Sequence, residues 1–95
     1  MRNYELAYIA RPDLDEESLA DLQGQIQGWI ESTGGNVVEV EQWGRRRMAY
    51  PIDDHRDGYY YFIHSEMPTD GPSAIEQDLQ VTDQVLRYML VRRDE

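Results

Sequence analysis

Between Asn3 and Ala10 the side chains Tyr4, Leu6, Tyr8 and Ala10 recur at every second position, whereas from Leu19 to Ile30 apolar residues recur every third or fourth. This change of period constrains the fold more than any other feature. A period of two suits a strand with one buried face, and a period near 3.6 suits a helix with one buried stripe. The helical segment lies within "RPDLDEESLADLQGQIQGWIESTGG". Asp13 or Asp15 can cap it, and Glu16 and Glu17 complement the positive end of its dipole. Leu19, Leu22, Ile26, Trp29 and Ile30 form its apolar stripe, which outweighs the low propensity of Gly24 and Gly28. Gly34-Gly35 ends it.

The periods continue to alternate along the chain. "NVVEVEQWGRRRMAYPI" reads as a long strand with Gly44 at a bulge or bend. "DDHRDG" reads as a hairpin loop, and "YYYFIHSEM" as the next strand, with Tyr59, Tyr61, Ile63 and Met67 inward. A second helix begins near "TDGPSAIEQDLQV", where Pro72 suits the first turn and Ile75 with Leu79 makes an i,i+4 pair. "QVLRYMLVRR" supplies the last strand, with Leu86, Tyr88 and Leu90 on one face. The order strand, helix, strand, strand, helix, strand contains two split crossovers. With right-handed connections it predicts an α+β, ferredoxin-like βαββαβ domain over residues 1–95, a four-stranded antiparallel sheet with both helices on one face. The expected core between sheet and helices contains Leu6, Tyr8, Ile26, Ile30, Val40, Tyr61, Ile63, Ile75, Leu79, Tyr88 and Leu90.

The opposite sheet face is left without helices, and Ile9, Tyr60, Phe62, Met89 and Val91 fall on it by parity. So many large apolar groups together in water predict a protein partner on that face; loops or a C-terminal tail folded over the face are the alternative. Charge adds a second signal. The formal net charge is -10, yet every basic side chain is an arginine and none occurs between Arg11 and Arg45 or between Arg56 and Arg87. Both helices therefore carry acid without base. The arginines, including the run Arg45, Arg46 and Arg47, gather on strands, strand ends and the hairpin. Phosphate is neutralised locally, so a basic strip can contact nucleic acid on an acidic protein. A solvated strand face is the simpler alternative.

Cysteine is absent, which removes a disulfide framework, a thiol nucleophile and any Cys-based zinc site. The start of the chain lacks the apolar stretch of a secretion signal, and no apolar run approaches the length that spans a bilayer. A cytoplasmic location is expected, with no membrane association. His55 and His64 lack the spacing of a zinc motif, so no metal or other cofactor is expected. No serine shows an identifiable His–Asp relay, and no Gly-rich phosphate cradle precedes the first helix. Catalysis is not expected.

"WGRRRMAYPI" in the second strand, "GYYYFIHSEMP" in the third and "MRNYE" at the start together resemble the family of the sixth protein of the bacterial small ribosomal subunit. The similarity runs from Met1 to about Arg93. Its most specific segment, G-x-R-R-x-A-Y-P-I, is matched by Gly44, Arg46, Arg47, Ala49, Tyr50, Pro51 and Ile52. The resemblance implies a structural protein of the ribosome that binds small-subunit ribosomal RNA with the basic eighteenth small-subunit protein. The isolated chain is expected to be monomeric. It maps the family's paired basic positions onto Arg46 and Arg47 and its early basic residue onto Arg2. Arg45, Arg87, Arg92 and Arg93 are further RNA candidates. "DDHRDG" departs from the lysine-bearing hairpins of the family, so the resemblance does not carry RNA contact to that loop.

Two other readings share the topology. "DGYYYFI" superficially matches the aromatic signature of an RNA-recognition motif, but that motif needs Tyr59 and Tyr61 outward, and parity places them inside. A small regulatory or interaction domain that dimerises through its sheet is the other, and the arginine run and the family segment argue against it.

Overall fold

The computed structural model describes residues 1–93. Its elements are β1 (Arg2–Ala10), α1 (Glu16–Ser32), β2 (Asn36–Ile52), β3 (His55–Met67), α2 (Gly71–Gln80) and β4 (Val85–Arg92). The sheet runs β2-β3-β1-β4, with every neighbouring pair antiparallel. This is the ferredoxin-like arrangement predicted from the alternating periods.

Local chemistry explains the boundaries. The Asp15 carboxylate accepts a 2.8 Å hydrogen bond from the Ser18 N–H at the start of α1. Of the two capping candidates, Asp15 is thus the cap, and the bond holds its carboxyl below the usual carboxylate range. Helix α1 closes at Thr33, whose hydroxyl donates to the Ile30 carbonyl. Pro72 occupies the first turn of α2, where its missing N–H has no helical acceptor to lose.

Both helices bury their stripes on one sheet face. Tyr4, Leu6, Tyr8, Tyr61, Ile63 and Met67 meet Leu19, Leu22, Ile26, Ile30, Ile75 and Leu79 there, with Val40, Tyr59, Tyr88 and Leu90 packed at the margin. Tyr8 and Tyr61 stack across β1 and β3, with centroids 4.9 Å apart and planes within 4°. Tyr61 is inside while Tyr60 and Phe62 lie on the far face, which removes the parity that an RNA-recognition motif requires.

Two details differ from the sequence reading. The hairpin loop is shorter than "DDHRDG": Ile52 pairs with His55, and the turn consists of Asp53 and Asp54 alone. Both have positive φ, 50° and 67°, the conformation of a two-residue I′ hairpin. Leu86 does not share a face with Tyr88 and Leu90. A register shift between Ile9 and Ala10 pairs Ala10 with Val85, which packs on the core. Leu86 instead comes beside Ile9 above Gly58, on the other face. Gly44 is at a bulge, as predicted, with φ 79°.

Candidate functional site

The helix-free face is built as rows of side chains crossing the sheet. Read from β2 to β4, the ladders align Gly44–Tyr60–Ile9–Arg87, then Glu41–Phe62–Ala7–Met89, then Glu39–His64–Glu5–Val91. Ile9, Tyr60, Phe62, Met89 and Val91 therefore share this face, as parity indicated. Ala7 is small between Phe62 and Met89, and a hollow of about 210 Å³ opens over it, rimmed by Ile9, Tyr60 and Arg87. Met89 is 60% exposed and Val91 37%.

Trp43 extends the apolar row beyond Phe62, with ring centroids 4.6 Å apart, and remains 47% exposed. Sequence reasoning passed it over, although counting on from inward Val40 places position 43 on this face. The other end of the face is partly covered. The end of the β2–β3 hairpin folds over it, so that Met48, Ala49, Tyr50 and Ile52 enclose a small cavity with Ile9, Tyr60 and Arg87. Arg87 donates a 2.6 Å hydrogen bond to the Tyr50 hydroxyl and lies 5.9 Å from the centre of its ring. The far end of strand β2, rather than a loop, thus covers one end of the patch, and the Trp43–Phe62–Ala7–Met89 row stays open.

The third row is polar. His64 Nε2 faces Glu5 Oε2 at 3.3 Å and Glu41 Oε2 at 3.1 Å. Arg93 Nη1 donates to Glu5 Oε1 at 3.0 Å. Neither glutamate stood out in the sequence, because no local motif joins residues brought together from three strands.

The structure separates the candidate arginines by whether a carboxylate already neutralises them. Arg45 donates to Asp57 at 2.6 Å, and that bond holds the Asp57 carboxyl below the usual carboxylate range. Arg93 is held by Glu5, as above. Arg46 stands opposite Gly58 on the helix-free side of β2. It donates to the Trp43 carbonyl at 3.3 Å, and its guanidinium lies 5.1 Å from the Trp43 ring centre. Arg47 stands opposite Asp57 on the other side of the strand, exposed, and among the described residues its side chain has no ion pair or hydrogen bond. Arg56, next to the turn, is exposed in the same condition and was not a candidate from sequence. Arg2 and Arg92 are exposed at the opposite end of the sheet, where Arg2 pairs with Met67 and Arg92 with Tyr4.

β2 is an edge strand, so Arg46 and Arg47 flank an open backbone edge from its two sides. Chemically this is a strip of guanidinium forks beside an aromatic pair, suited to phosphate oxygens and to flat π surfaces. Among the described residues no helix is long and apolar enough to cross a membrane.

Comparison with known proteins agrees with this geometry. Residues 3–92 match the family model described as Ribosomal protein S6. The chain is 42% identical over 91 residues to the small ribosomal subunit protein bS6 of Clostridium novyi, covering 96% of each chain. It is 36% identical over 95 residues to bS6 of Moorella thermoacetica, covering all of this chain and 97% of the relative. The crystal structure of 30S ribosomal protein S6 from Thermotoga maritima superposes with a TM-score of 0.92 at 29% identity, covering 97% of this chain and 87% of that one.

Proposed function

This chain belongs to the ribosomal protein S6 family, and from that premise we propose that it binds small-subunit ribosomal RNA cooperatively with the basic eighteenth protein of the same subunit. As a family member it is a small-subunit ribosomal protein, not an enzyme, and its place is the ribosome in the cytoplasm. The RNA contact and the partner are the proposal.

One observation carries it: Arg46 and Arg47 sit together on an exposed edge, and among the described residues no carboxylate neutralises either. In a chain of net charge -10, an arginine pair left uncompensated retains its charge for an external anion. Arg45 and Arg93 are weaker candidates, since Asp57 and Glu5 must be displaced first. Arg87, tethered to Tyr50, Arg2 and Arg92 remain secondary. The acidic remainder repels RNA, so the isolated, monomeric chain binds it weakly and the basic partner supplies much of the attraction. That partner docks on the helix-free face through Ile9, Tyr60, Phe62, Met89 and Val91, where an open apolar row lies beside carboxylates.

The test is a salt titration of RNA affinity for the two-protein complex. Arg46→Ala with Arg47→Ala is expected to weaken binding and to lower the slope of log K against log salt by roughly 0.9 for each phosphate no longer neutralised. Affinity for the partner should be retained. Superimposable titrations for wild-type and variant would refute the RNA role of the pair.

A further inference from the structure

The polar row of the helix-free face has a geometry that its hydrogen bonds do not use fully. A single nitrogen, His64 Nε2, faces two carboxylate oxygens, at 3.3 Å from Glu5 and 3.1 Å from Glu41. One N–H proton can point well at only one of two acceptors, and the two carboxylates repel each other across it. We propose that Glu5, Glu41 and His64 form a binding site for a divalent transition-metal ion of the zinc type, with the imidazole and one oxygen from each carboxylate as ligands.

Distances support this choice. Zinc bonds to nitrogen and carboxylate oxygen measure about 2.0–2.2 Å, so tetrahedral ligands stand roughly 3.3–3.6 Å apart. The two His64–carboxylate separations are already close to such an edge. All three donor atoms lie within 4.8 Å of one another, so the carboxylate–carboxylate separation is also within reach of such an edge by side-chain rotation. A divalent ion also replaces the repulsion between the carboxylates with attraction to both. An imidazole among the ligands favours zinc, copper or nickel over magnesium or calcium, which prefer all-oxygen sets.

The supports are in place as well. Glu5 and His64 are direct cross-strand partners, so the ladder between β1 and β3 fixes their spacing. Glu41 arrives from β2, diagonal to His64, which pairs with Glu39. Arg93 occupies Oε1 of Glu5, leaving Oε2 turned toward the imidazole, the orienting role of an outer-shell hydrogen bond. Three protein ligands leave the fourth position to water.

The experiment is calorimetric titration of the metal-free full chain with Zn²⁺, with Mg²⁺ in parallel, on wild-type protein and on the variants His64→Gln, Glu41→Gln and His55→Gln. Wild-type and His55→Gln should bind one equivalent of Zn²⁺ and gain thermal stability from it. His64→Gln and Glu41→Gln should bind it about tenfold or more weakly while remaining folded by circular dichroism, and Mg²⁺ should give no saturable heat. Loss of binding in His55→Gln but not in His64→Gln, equal affinity in all four proteins, or no saturable zinc binding by wild-type would each overturn the proposal.

Discussion

The Tyr8 hydroxyl makes a sharp test of the core. Tyr8 is 1% exposed, its ring stacks on Tyr61, and its hydroxyl has no hydrogen-bond partner among the described residues. A buried hydroxyl without a partner costs about 1–3 kcal/mol of desolvation that the unfolded chain does not bear. Tyr8→Phe removes that oxygen and leaves the ring and its stacking. The missing dispersion attraction of the oxygen offsets part of the gain, so a net stabilisation of about 1 kcal/mol is expected. For a domain of this size that raises Tm by roughly 4–8 °C.

Alkaline pH separates this cause from a general packing effect. Burial pushes the Tyr8 phenol far above its usual value, with the neighbouring Tyr61 adding to the shift. A raised folded-state value means the native state keeps its proton where the unfolded chain releases it. Stability is then fully present below the unfolded value, about pH 10, and is lost above it at about 1.4 kcal/mol per pH unit for each such group. Tyr61 is raised too, chiefly by burial, so it leaves a residual slope in the variant. Urea unfolding of both proteins between neutral pH and about pH 11 is the assay, and the advantage of Tyr8→Phe should widen above pH 10. A destabilised variant would refute the reasoning about the stranded hydroxyl. Parallel pH profiles would refute the assignment of the alkaline loss to Tyr8.

Three further outcomes follow from single positions. A Cβ at Gly58 would stand 2.5 Å from Ile9 Cγ2 and 2.8 Å from the Ala10 carbonyl oxygen, so Gly58→Ala should cost about 1–3 kcal/mol in denaturant unfolding. Asp54 holds φ 67° in the two-residue turn, and Asp54→Gly should raise stability by about 0.5–1 kcal/mol in the same assay, since glycine adopts that conformation without the side-chain penalty. Phe62→Glu should leave the isolated fold unchanged and weaken the complex with the basic partner; unchanged affinity by calorimetry would move that contact off the helix-free face.

What the sequence revealed and concealed has a common physical cause. Periodicity reports which face a residue occupies as long as the ladder is unbroken, so Tyr8, Tyr61 and Ile63 inside and Tyr60 and Phe62 outside were legible from alternation alone. Each bulge shifts the count by one without a mark in the side-chain pattern, unless a glycine betrays it. Gly44 did so; the shift that sends Val85 rather than Leu86 inward did not. The hairpin shows the same effect. An unbroken ladder from the Asp53-Asp54 turn would pair Arg47 with Tyr60, but an irregularity between Arg47 and Ile52 pairs it with Asp57. The neighbouring Arg45–Asp57 bridge, which divides the arginine run into a neutralised member and two uncompensated ones, depends on that slip and could not be counted out from the sequence.

The arginines of β2 also meet a need of the strand itself, separate from the RNA contact proposed for them. A long edge strand offers unpaired backbone groups to any other strand, and charged side chains, bulges and proline are common protections. β2 carries all three: Arg45 to Arg47, bulges at Val37/Glu39 and Gln42/Gly44, and Pro51 near its end. Edge protection needs only charge at the strand, so it is served by Arg45 even while Asp57 holds it. The proposed RNA contact needs charge that is not already spent on a carboxylate, which among the three arginines of β2 leaves Arg46 and Arg47. The two roles therefore predict different losses. Arg45→Ala should promote self-association at high protein concentration while leaving the salt slope of RNA binding nearly intact, whereas the Arg46/Arg47 variant should lose slope and affinity. If Arg45→Ala lowers the slope as much as the loss of Arg46 or Arg47 does, the bridge to Asp57 yields to phosphate, and all three arginines act as one RNA-binding strip.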